Sequence, residues 1–156
     1  MSFLDSIRSY QGVSIDKIIV IDEADPENIF LSRNSIVLVH ATWSLPSVKV
    51  LRSYFSSFYK IIENQNILKF YVLNIDRLSD DFLKKLPCQF GGNGETFLVK
   101  DGKIVENFPH YNEGFGDALA RVFKDDITSN ALSSSPFLQK NKEINIERDN
   151  DFGLGM

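Results

Sequence analysis

The feature that most constrains this chain is a change of period near its middle. From Ile36 to Ala41 the residues run Ile-Val-Leu-Val-His-Ala, and from Val48 onward Val48, Leu51, Phe55, Phe58 and Ile62 recur at spacings of three and four. A continuous, β-branched apolar run of that length fits a strand buried on both faces. The second pattern gives one apolar stripe along a long helix. A strand that is apolar on both sides needs cover on both sides, and the helix supplies one of them. The expectation is a layered α/β domain built around this strand.

The flanking segments extend the same alternation. Lys17–Asp22 reads as a strand, and Asp25-Pro26-Glu27 opens a short helix with Pro26 suited to its first position. Ile67–Ile75 reads as a further buried strand, and Ser79–Leu86 as a short helix stopped by Pro87. Gln89–Gly94 is a glycine-rich loop. Thr96–Val99 and Lys103–Glu106 flank Asp101-Gly102, a strong signal for a two-residue hairpin. A last helix is expected over about Asn112–Lys124. The order is β-α-β-α-β-α-β-β-α, which implies parallel strands followed by an antiparallel hairpin in one mixed sheet. Residues 1–16 read as an N-terminal extension, 17–124 as the folded domain, and 125–156 as a polar tail expected to be mobile. Ile144 and Ile146 in that tail could form a weak edge strand.

Composition narrows the functional classes. The chain has 156 residues, 43% hydrophobic and 24% charged, enough to bury a core without metal or disulfide staples. A net charge of −4 with no cluster of Lys and Arg speaks against a nucleic-acid partner. The opening Met1-Ser2-Phe3-Leu4-Asp5 has neither a basic nor an apolar signal region, and no run is long enough for a spanning helix, so no membrane role is expected. The lone cysteine, Cys88, cannot form an intrachain disulfide, which fits a cytoplasmic location. His40 and His110 have no Glu or Cys at metal-ligand spacing, so neither a metal nor another cofactor is expected. Gly91-Gly92-Asn93-Gly94 lacks the Lys-Ser/Thr of a phosphate loop and precedes a strand rather than a helix.

Three segments together carry a family resemblance. Ile36–Ser47 (IVLVHATWSLPS) resembles the thioredoxin strand that leads into Trp-Cys-X-Pro-Cys. Leu73–Asp76 (LNID) resembles the close of the third strand, and Thr96–Lys103 (TFLVKDGK) resembles the terminal hairpin. The resemblance spans roughly residues 17–124 and implies a thioredoxin-like three-layer sandwich with a central mixed sheet.

The departures from that pattern decide the expected function. Ser44 and Ser47 stand where the resemblance places the two cysteines, while Trp43 and Pro46 remain. A hydroxyl is far too weak an acid for a helix terminus to ionise, it forms no stable disulfide, and it needs an adjacent base to attack anything. Leu38 stands where the family keeps a buried acid. Glu95 precedes Thr96 where the family keeps a cis-proline, so a trans path is expected there.

The implied function is a redox-inactive module, an adaptor, assembly chaperone or specific inhibitor, that binds another protein or peptide along the former active-site edge. That edge comprises Trp43, Ser44, Leu45, Pro46, Ser47 and the loop residues Asn93, Gly94, Glu95 and Thr96. Ser44 reads equally as a helix N-cap, and Trp43 as a half-buried core cap. Two rivals stand beside this reading. One is a single-thiol enzyme using Cys88 with glutathione or peroxide, although free cysteine is commonly an inert core residue. The other is a structural subunit, for which a homodimer is possible.

Overall fold

The computed structural model describes residues 2–31, 33–62 and 68–126. The chain divides at Phe123/Lys124, and everything below concerns the first unit, Met1–Phe123. Its strands are β1 (Ile18–Ile21), β2 (Asn34–His40), β3 (Lys69–Asn74), β4 (Thr96–Lys100) and β5 (Lys103–Phe108), with helices α1 (Phe3–Arg8), α2 (Leu45–Ile62), α3 (Asp80–Leu83) and α4 (Phe115–Val122). The five strands form one sheet in the order β1-β3-β2-β4-β5. β3 runs parallel to both β1 and β2, while β4 runs antiparallel to β2 and β5. This is the mixed sheet expected from the sequence.

β2 lies in the middle and is buried at every position. Its side chains alternate between the faces. Val37 and Val39 join Tyr71, Leu73, Phe97 and Phe82 in one core cluster. Ile36 pairs in register with Phe70 and Leu98, and Phe70 packs edge-on to Phe55 and Phe58 of α2. Leu51, Phe55 and Phe58 of the stripe are thus buried, while Val48 is half-buried and borders an outer groove. α4 closes the same face through Phe115, whose ring stacks on Tyr54 with centroids 3.7 Å apart.

The hairpin follows its turn chemistry. Asp101 and Gly102 have φ of 52° and 79°, the left-handed pair that a two-residue turn between twisted strands requires. Beyond it, Leu98 pairs with Glu106 but Val99 pairs with Ile104, so Val105 is bulged out of β5 and left exposed.

Three sequence expectations need correction. The helix opened by Asp25-Pro26 is a five-residue 3-10 turn, Glu27–Leu31, because Asn34 already begins β2. α3 is a single turn, Asp80–Leu83, started by the Ser79 hydroxyl accepting the Phe82 N–H. The N-terminal extension is folded into the same unit: Phe3 and Ile7 of α1 are buried, and a 3-10 turn over Ile15–Lys17 leads into β1. The edge strand weighed at Ile144 and Ile146, and the rest of the tail from residue 127, lie outside the described residues, as do residues 63–67. Among the described residues no helix is long and apolar enough to cross a membrane.

Candidate functional site

The segment Trp43–Ser47 sits at the junction of central strand β2 and helix α2. The Ser44 carbonyl accepts the Val48 N–H at 3.1 Å, so by backbone Ser44 is the N-cap of α2. Its hydroxyl makes no hydrogen bond among the described residues. Ser47, in the first turn of the helix, is fully buried. Its Oγ accepts the Ala41 N–H at 3.0 Å and lies 2.7 Å from His40 Nδ1.

His40 is buried to the same degree, and its Nε2 lies 2.9 Å from the Tyr10 hydroxyl. A neutral imidazole has one donor and one acceptor, so either tautomer closes the chain from Ser47 through His40 to Tyr10. Burial holds the imidazole neutral, pulling its pKa down to about 4. The adjacent base that a nucleophilic serine needs is thus present, yet Ser47 offers no surface to a substrate. A base this weak is also far from the neutral pKa that proton abstraction favours. The arrangement fastens the first turn of α2 to the end of β2 and to the N-terminal segment.

On the outer side, Trp43 is 63% exposed, and its indole N–H donates to Asp76 Oδ1 at 3.2 Å. The six-membered ring of the indole lies against Gly92, where an added Cβ would come within 2.5 Å of it. The loop from Gly91 to Glu95 is wound around a carboxylate. Glu95 is buried, and its two oxygens accept the Gly91 N–H at 2.8 Å and the Asn93 N–H at 3.2 Å. Gly94 has φ +77° and touches Val50 of α2 so closely that a Cβ would lie 2.7 Å from the Val50 Cβ. The Thr96 hydroxyl donates to the Gly94 carbonyl, and the Glu95 carbonyl accepts the Val39 N–H. The described residues contain no cis peptide bond. A carboxylate held by backbone amides fixes the loop at the position where the resemblance places a proline.

These elements leave a groove of about 510 Å³ between Leu45, Pro46 and Lys49 on α2, Asn93 on the loop, and His110 and Tyr111 after β5. The Lys49 ammonium lies 4.6 Å from the centre of the Tyr111 ring, a cation–π contact. Of the residues expected on this edge, Trp43, Leu45, Pro46 and Asn93 are exposed and Ser44 is half-buried. Ser47, Gly94, Glu95 and Thr96 face inward, because they hold the loop and helix together. Cys88 is half-buried against the core, and burial, with Glu95 second, raises its thiol pKa.

Sequence reasoning missed Tyr10, the carboxylate role of Glu95, and the His110–Tyr111 wall. Phe3, Ile7 and Tyr10 fall at spacings of four and three, a short apolar stripe that signals a docked N-terminal helix. No local pattern marks Glu95, whose partners are backbone amides.

No protein-family model and no curated protein sequence matches the chain. Solved structures do. Thioredoxin f2, from a complex with ferredoxin:thioredoxin reductase, superposes with a TM-score of 0.52 at 17% identity, covering 73% of this chain and 99% of that structure's chain. A chain from work on thiol resolution in yeast mitochondrial 1-Cys peroxiredoxin gives 0.51 at 20% identity, over 72% of this chain and 99% of its own. Schistosoma mansoni thioredoxin gives 0.50 at 16% identity, over 72% and 98%. The chain therefore has the thioredoxin-like fold, with Ser44 and Ser47 standing where the resemblance places the cysteine pair.

Proposed function

We propose that the chain is a redox-inactive thioredoxin-like protein that binds another protein or peptide through the edge formed by Trp43, Leu45 and Pro46. The observation that carries this reading is exposure: Trp43 is 63% and Leu45 84% exposed, two residues apart where β2 gives way to α2, and Leu45 and Pro46 line a groove. Large apolar side chains beside a pocket are the usual anchors of a protein interface. Support also comes from the chemistry of the remaining groups. Ser47 is sealed against its imidazole, and the raised pKa of Cys88 leaves little thiolate at neutral pH.

Affinity capture from native extract with mass spectrometry tests the reading, run beside Trp43→Ala and Leu45→Asp. A co-purifying protein lost with both variants is expected. Reduction of insulin or hydrogen peroxide with a thiol donor, abolished by Cys88→Ser, overturns it in favour of a single-thiol enzyme.

A further inference from the structure

A second, longer depression starts at Leu45 and Lys49, which also line the first groove, and runs along α2 away from Trp43. Its first part, about 660 Å³, lies between Gln11-Gly12 and the helix from Leu45 to Ser56. Its second part, about 460 Å³, continues from Gly12-Val13-Ser14 to Phe55, Tyr59 and Lys60. Gly12 and Ser56 border both, so the two form one trough between the N-terminal segment and α2. At 1.5 Å per helical residue, the stretch from Leu45 to Lys60 is about 22 Å, the span of roughly six or seven extended residues.

The charge of this trough is one-sided. Among the described residues, Lys49, Arg52 and Lys60 line it and no Asp or Glu does, in a chain with 21 acidic and 17 basic residues. All three cations are exposed and none is held in an ion pair among the described residues, whereas Arg8, Arg33, Lys85 and Arg121 each have a carboxylate within 4.0 Å. The first turn of α2 carries no acidic residue either. Between the cations stand hydroxyls, Ser53 and Ser56, and the ends are apolar, with Leu45 84% and Tyr59 40% exposed.

We propose that this trough binds an extended acidic peptide segment, its carboxylates on Lys49, Arg52 and Lys60 and its apolar residues on Leu45 and Tyr59. The partner is recognised by complementary charge, which fixes register and speeds encounter. The trough shares Leu45 and Lys49 with the groove beside the Trp43 edge but extends along α2 away from Trp43, so Trp43→Ala distinguishes this proposal from the function proposed above.

The test is fluorescence anisotropy of the full chain with a labelled peptide alternating Glu with Leu, beside its Lys-for-Glu counterpart. Binding of the acidic peptide alone is expected, weakening several-fold as salt rises from about 0.05 M to 0.3 M. The pair Lys49→Glu and Arg52→Glu is expected to weaken it about tenfold or more. Lys84→Glu, on α3's C-terminal side, and Trp43→Ala are expected to leave it unchanged. Both charge-reversed positions are exposed, and circular dichroism confirms that the variant folds. Equal binding of the Lys peptide, equal loss on Lys84→Glu, or no binding overturns the proposal. Preferential binding of anionic phospholipid vesicles, with the peptide unable to compete, overturns it in favour of a lipid surface.

Discussion

The Oγ of Ser47 lies 2.7 Å from Nδ1 of His40, and both residues are fully buried at the β2–α2 junction. The hydroxyl also takes the Ala41 N–H, so Ser47→Ala strands a buried amide and a buried ring nitrogen. Each such orphan costs about 1–3 kcal/mol. Urea unfolding of Ser47→Ala is expected to show a loss of that order, while Ser44→Ala, whose hydroxyl has no hydrogen-bond partner among the described residues, stays within about 0.5 kcal/mol.

Stability should fall with acid through His40. Its folded pKa, lowered to about 4, lies below the ordinary value of 6.5, so the unfolded chain binds the proton first. Stability from this group is complete above about pH 6.5 and is lost as pH falls through 4, an effect of roughly 3 kcal/mol in full. His40→Phe is expected to be less stable than the wild type at pH 7 and to lose less on going to pH 4. Parallel stability curves from urea titrations would contradict this.

Gly92→Ala should disturb the single tryptophan. The added methyl would lie 2.5 Å from the Trp43 ring, at a backbone φ of +79° that alanine adopts only at a cost of about 1 kcal/mol. The indole must swing off the loop, so red-shifted emission and readier acrylamide quenching are expected. Unchanged fluorescence would mean that the ring does not rest there.

Restoring the cysteines with Ser44→Cys and Ser47→Cys should yield only weak insulin reduction beside a thioredoxin control. Leu38 is buried where the resemblance expects an acid, and the loop before β4 is fixed by Glu95 rather than by proline. Activity equal to the control would show that neither departure matters.

Cys88 should react slowly with a disulfide reagent at neutral pH, because burial raises its pKa and the Glu95 charge adds to the effect. Glu95→Gln is expected to speed the reaction modestly, since the second cause is removed and the first remains. A fast thiol in the wild-type chain would contradict this.

Much of the fold was legible because its signals are local. The period change at Ile36–Ile62 marked the central strand and its covering helix, and Asp101-Gly102 marked the hairpin. The 3-10 turn at Glu27–Leu31 was misread because a capping Asp and a Pro start helices of either kind; the nearness of β2 decided its length. The site was legible only in outline. Trp43, Leu45 and Pro46 stand at the surface, but the inward turn of Ser47 depends on His40, seven residues away, and on Tyr10, thirty residues from that. Contacts across such separations leave no periodicity to read.

The docking of Tyr10 on His40, with Phe3 and Ile7 buried behind it, has a practical corollary. A version of the chain trimmed to start at Ile18 would uncover the imidazole and one wall of the cationic trough together. Such a shortened protein would then report on neither its native acid tolerance nor its native ligand preferences.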